Sequence, residues 1–176
     1  MQHAQPTQIR ELQRKREPSQ ATPTDLKAVT ARDLAGVLNA TQAHVFALYL
    51  KTRNVRWHMS DAHLRAYHLM LDDQSKQLFE MTGPLAECVR KLGGRTLRSI
   101  GHIARTQRLR DNDAEHVEPA DMLAELRDDN RTLVSYLRSA RDLCSEHRDI
   151  ASATRIEAWI DETERRTGFL FEATPP

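Results

Sequence analysis

Apolar and neutral residues recur at alternating steps of four and three from Leu64 through Tyr67, Leu71, Gln74, Leu78, Met81, Leu85 and Cys88 to Leu92. That period belongs to an α-helix, because a strand would repeat every second residue. One such helix cannot bury its own stripe, so it needs partners. The alternation returns three more times: through residues 34, 38, 41, 45, 48, 52 and 55, through Met122, Leu126, Leu133, Leu137, Ala140 and Cys144, and through Ile156, Ile160, Thr163 and Leu170. Thr30 followed by Asp33 predicts a capped start for helix one, about 31–58. Ser60 and Asp61 offer a stop and a fresh cap for helix two, about 61–92, which Gly93-Gly94 ends. Pro84 falls inside this second stripe, which continues beyond it, so one kinked helix is expected and not two. Pro119 after Glu118 opens helix three, His147 and Arg148 close it, and Asp149 caps helix four, which ends before Pro175-Pro176.

Residues 93–118 join helices two and three, too long a link for a hairpin, and Ile100, Ile103 and Leu109 are spaced for a short helix within it. Helices of about 30 residues are about 45 Å long, and such a link can travel that length and set helices two and three parallel. The predicted fold is all-α, a ferritin-like four-helix bundle with one long crossover carrying a short helix. A chain of 176 residues leaves room for one such domain, residues 30–176. With 39% hydrophobic and 29% charged residues, a membrane span is disfavoured. Residues 1–29, rich in Gln, Pro and Thr, read as a flexible and mildly basic tail. No secretory pattern opens the chain, so a cytoplasmic location is expected. Cys88 and Cys144 sit inside apolar stripes, as reduced core thiols do.

The formal net charge of +1 hides segregation. Residues 88–110 hold seven basic groups and no acid, whereas 111–129 hold eight acids against Arg127 alone. Such blocks are either solvated surfaces that also pair with each other or interaction faces. A basic face can track nucleic-acid phosphates, and without interleaved aromatics to stack on bases its binding would be blind to sequence.

On helix two, His68 and Asp72 lie one turn apart, and Glu87 lies about 60° round the axis from Asp72. Imidazole plus carboxylate suits iron, manganese or zinc, although the polar edge of an amphipathic helix looks the same. Asp72 and Glu87 are 15 residues apart, about 22 Å along a helix. One chain cannot close a small metal site across that distance. A metal centre built from these residues requires a homo-oligomer in which His68 and Asp72 of one subunit meet Glu87 of another.

Several ordered segments resemble the Dps family of mini-ferritins, the DNA-protection proteins of starved bacteria. They are Lys51-Thr-Arg-Asn-Val-Arg-Trp57-His58-Met59, Tyr67-His68-Leu-Met-Leu-Asp72, Leu85-Ala86-Glu87 before Arg90-Lys91-Leu92-Gly93-Gly94, Ser99-Ile-Gly-His-Ile-Ala104, Ile160-Asp-Glu-Thr-Glu-Arg-Arg-Thr167 and Phe169-Leu170-Phe171. The resemblance implies a hollow dodecameric shell, oxidation of Fe(II) by peroxide or oxygen at inter-subunit sites, iron storage under oxidative and stationary-phase stress, and in some members DNA binding through a basic tail. Residue by residue, the family's ferroxidase ligands fall on His68, Asp72 and Glu87. Its first-helix His falls on Arg56, and the Asp preceding the late Glu falls on Gly83, so two of five ligand positions are replaced. His58, His63 and Glu80 are the neighbouring candidates for substitution, each a displaced ligand. The tail residues Arg10, Arg14, Lys15 and Arg16 are the candidate DNA contacts.

An impaired ferroxidase centre is therefore expected, with Arg56 pairing with Asp72 or with the neighbour's Glu87 in place of a metal ion. Two alternatives stand beside it: a shell that binds DNA without oxidising iron, and a monomeric or dimeric four-helix protein that binds a partner through its charged blocks.

Overall fold

The computed structural model describes residues 26–59 and 64–174. Among them are four long helices and one short one: α1 (Ala28–His58), α2 (Leu64–Lys91), α3 (Ile100–Thr106), α4 (Pro119–Glu146) and α5 (Ile150–Ala173). The stripes face inward as their period requires. Leu34, Leu38, Val45, Leu48 and Val55 of α1, Leu71, Leu78, Met81, Leu85 and Cys88 of α2, Leu126, Leu133, Leu137 and Cys144 of α4, and Ile156 and Leu170 of α5 share one core. The neutral members of the stripes, Thr41, Thr52, Gln74 and Thr163, are buried with them.

α1 begins at Ala28, three residues before the predicted 31, and Thr30 lies inside it. Lys27 occupies the cap position and supplies no side-chain hydrogen bond. The core explains the extension, since Leu26 already packs against it and draws the next residues into the helix. The predicted caps at Ser60 and Asp61 lie outside the described residues. The other boundaries match. Gly93 takes φ 74° after α2, and the Gly94 N–H donates to Val89 O at 2.9 Å and that of Gly93 to Arg90 O at 3.0 Å, a Schellman end. Ser99 Oγ accepts from the His102 N–H at the start of α3, and Asp149 Oδ1 accepts from that of Ser152 at the start of α5. α2 runs through Pro84 as one helix.

Each long helix packs against two others: α1 against α2 and α4, and α5 against α4 and α2. α2 and α4 are diagonal, with no Cα pair within 8 Å. Contacts between opposite ends fix the directions. Lys51, late in α1, meets Glu125 and Asp129, early in α4, while the Tyr67 hydroxyl, early in α2, donates to Ala173 O at the end of α5. Both α2 and α4 thus run antiparallel to α1 and parallel to each other, as the long crossover demands. Asn39 holds the crossover near its start through Arg95 O, and Lys51 holds it near its end through Arg110 O. Gly94 fits there because it has no side chain: an added Cβ would lie 2.7 Å from Ala35 Cβ.

Candidate functional site

Asp72 sits on the outer flank of α2, where two arginines from α1 reach it. Arg53 Nη1 donates to Oδ1 at 2.6 Å, and Arg56 Nε lies 3.2 Å from both carboxylate oxygens. Partial burial pushes the Asp72 carboxyl upward, but hydrogen bonds from Arg56 and Arg53 and their positive charges outweigh this and hold it below its ordinary value. The local antiparallel pairing of α1 and α2 creates the contact, because it sets the last turns of α1 beside the early turns of α2. Arg53 in turn lies over the Trp57 ring, 5.6 Å from its centroid.

One turn before Asp72, the half-buried His68 keeps a buried Nε2 that has no hydrogen-bond partner among the described residues. Glu87 is exposed on the far part of α2 and forms an ion pair with Arg155 of α5 at 3.5 Å. Gly83 is exposed, and an added Cβ there would meet nothing within 4 Å. His58 ends α1 with its Nδ1 2.9 Å from Asn54 O, facing solvent. Glu80 is exposed beside Lys76 at 4.0 Å. His63 and the tail residues Arg10, Arg14, Lys15 and Arg16 lie outside the described residues.

Of the predicted site, the structure brings Arg56 onto Asp72 and leaves Glu87 apart. Among the described residues no group of three or more His, Cys, Asp or Glu side chains is placed to hold a metal ion. The cluster at Asp72 contains two fixed cations around one carboxylate, and a divalent cation approaching it meets net positive charge and an acceptor already engaged. Arg53 was missed from the sequence, although its spacing of three from Arg56 puts both on one helical face. No such local signal existed for Arg155, whose partner is distant in the chain.

A second polar cluster lies inside the bundle. Arg166 of α5 is 1% exposed; it donates from Nε to Asn130 Oδ1 of α4 at 3.1 Å and from Nη2 to Thr163 Oγ1 at 2.7 Å, and Nη1 lies 3.4 Å from Gln77 Oε1 of α2. It was read only as part of a motif, because i, i+4 spacing cannot tell a surface arginine from a buried one. His44 of α1 is also buried, stacked on Tyr136 with ring centroids 4.0 Å apart.

The ferritin-like domain family matches residues 35–172. The DNA protection during starvation protein of Agrobacterium fabrum is 27% identical over 149 residues, covering 85% of this chain and 92% of the relative. Two solved structures share the fold. A Dps homologue from Halobacterium salinarum is 21% identical, with 92% of this chain and 94% of that one covered and a TM-score of 0.84. The Dps protein of Vibrio cholerae O1, described as a member of a broad superfamily of ferritin-like diiron-carboxylate proteins, is 19% identical, with 90% and 100% covered and a TM-score of 0.81. With the helix order, the long crossover and the matched span in agreement, the chain belongs to the ferritin-like family, as a member of its Dps branch.

Proposed function

We propose that this protein is a cytoplasmic, shell-forming mini-ferritin that sequesters iron and protects DNA, and that its inter-subunit ferroxidase centre is impaired. The observation that carries the impairment is the pair of guanidinium groups on Asp72. Arginine stays protonated and has no lone pair to offer Fe(II), so Arg56 replaces a ligand with a repelling charge. Gly83 removes an oxygen donor, and Glu87 is turned to Arg155. His68 fits the opposite part of the reading, since its buried Nε2 has no hydrogen-bond partner among the described residues and keeps a nitrogen able to serve as a ligand. Iron enters here as substrate and cargo, held loosely by His68, Asp72 and Glu87 of two subunits. Exposed Leu50, Leu69, Ile100 and Phe171 on a single chain support assembly into a multi-subunit shell, because large apolar side chains at a surface favour burial against a neighbour. No described helix is long and apolar enough to cross a membrane.

The test is Fe(II) oxidation by peroxide, followed by absorbance growth, in the native protein beside an Arg56→His, Gly83→Asp double variant. The open space at Gly83 accepts the new side chain. The double variant should oxidise iron in stoichiometric steps and the native protein slowly or not at all. Equal rates would show that Arg56 and Gly83 do not impair the centre. A monomer or plain dimer by light scattering at physiological salt would overturn the shell.

A further inference from the structure

Of the seams between neighbouring long helices, the one between α2 and α5 is the loosest. It opens into a cavity of about 340 Å³. Exposed Phe169 and half-buried Met70 give this cavity an apolar wall, and Asp73 and Glu162 add two carboxylates. Gln74, Gln77 and Arg166 line it from within the bundle. Arg165 also lines it, with its guanidinium paired to Asp161 at 2.8 Å.

Two of these groups are not explained by the packing of the bundle. Gln74 is 3% exposed, and neither its Nε2 nor its Oε1 has a hydrogen-bond partner among the described residues. A buried amide in that state has lost its water and gained nothing in return, although a leucine would fill the same place in the α2 stripe. Arg166 is 1% exposed, and its one ion-pair partner among the described residues is Glu162, 3.6 Å from Nη1. The inner donors, Nε and Nη2, are fixed by Asn130 and Thr163. Nη1 is left with long contacts only, to that Glu162 oxygen and to Gln77 Oε1 at 3.4 Å. The bundle therefore anchors the guanidinium from behind and leaves the donors that face α2 weakly used.

We infer that this cavity binds a small zwitterion, an α-amino acid with an apolar side chain. Arg166 Nη1 and Gln74 Nε2 are donors suited to a carboxylate. Glu162, the Gln74 carbonyl and Asp73, which is exposed and forms no ion pair among the described residues, are acceptors suited to an ammonium group. Met70 and Phe169 cover an aliphatic side chain, and the volume admits one the size of leucine. A simple anion would meet two carboxylates here and a simple cation a buried guanidinium, so only a molecule that carries both charges matches the site. This site stands apart from the iron and DNA readings above and does not depend on them.

The experiment titrates the full-length protein with L-leucine by isothermal calorimetry, beside isocaproate and isoamylamine, which lack the ammonium and the carboxylate respectively. The variants are Gln74→Leu, Arg166→Met and, as a control on the exposed face of α4, Arg138→Gln. The native protein should give a saturable heat with leucine, and each analogue should bind about tenfold more weakly or worse, the factor carried by one charge-assisted hydrogen bond. Gln74→Leu and Arg166→Met should each lose at least as much while keeping the native circular dichroism, and Arg138→Gln should bind as the native protein does. If Arg166→Met fails to fold, Gln74→Leu decides, since it removes only an amide that the bundle leaves unpaired. No saturable heat from leucine, an analogue that binds as tightly, native-like binding in a folded site variant, or an equal loss in the control overturns the site.

Discussion

Replacing Arg166 by methionine should change stability little, despite the three helices that its guanidinium joins. The side chain is 1% exposed; burial pushes its pKa well below the ordinary guanidinium range, to about 10, with Glu162 opposing and Arg165 adding to the fall. That displacement corresponds to about 3 kcal/mol spent on keeping the charge inside. Methionine removes this cost and keeps an unbranched stem in the same space. Against it stands Asn130 Oδ1, which loses its donor in a fully buried position, at about 1–3 kcal/mol. Thr163 Oγ1 still donates to Trp159 O, and Glu162, whose side chain is 31% exposed, can turn to water. The two effects nearly cancel, and Arg166→Met should fall within about 2 kcal/mol of the native protein. Arg166→Ala adds the loss of two buried methylenes, about 1.6 kcal/mol, and a cavity. Arg166→Lys keeps the buried charge without the planar fork that reaches Asn130 and Thr163 together, and should cost about 3 kcal/mol or more. Urea unfolding followed by circular dichroism, at one fixed protein concentration and with constant m, gives the ranking. A methionine variant less stable than the lysine variant would refute the reasoning, because the guanidinium network would then be worth more than its desolvation.

Gly94→Ala should destabilise by about 1–3 kcal/mol, since the new Cβ would meet Ala35 Cβ at 2.7 Å, while Gly83→Ala, with open space at its Cβ, should stabilise α2 by about 0.5–1 kcal/mol; thermal melts of both variants test the contrast. Cys88 and Cys144 should remain unpaired under mild oxidation and unreactive to a thiol reagent until the protein unfolds, because α2 and α4 share no Cα pair within 8 Å and burial, with Asp149 and Cys88 nearby, pushes the Cys144 thiol up to about 12. Burial holds the His44 imidazole below its ordinary 6.5, Arg108 adding to the fall and the Ala40 backbone opposing it. The unfolded chain therefore takes up a proton first, and stability should decline as pH falls through and below 6.5. In His44→Phe that part of the decline should vanish from the pH dependence of the urea midpoint, and an unaltered profile would sink the assignment.

The helical period, the two glycines after Leu92 and the proline after Glu118 were sufficient for four long helices, their order and the crossover, because those signals act within a few residues of where they are written. Arg56 and Asp72 were also legible as partners, since the pairing needed only that α1 and α2 be neighbours. Thr30 misled, because the packing of Leu26 extended α1 past a good local cap. What lay beyond the sequence were contacts chosen by helix rotation and by the long return of the chain: Arg155 on Glu87, Lys51 on Glu125 and Asp129, and Arg166 against Asn130 and Gln77. A stripe tells which side of a helix is buried, yet not which helix faces it or which polar group ends opposite another. The charged blocks show the same division: their composition was plain in the chain, but only the antiparallel stacking of α1 and α4 set Asp113, Glu115 and Glu125 around one cavity with Lys51.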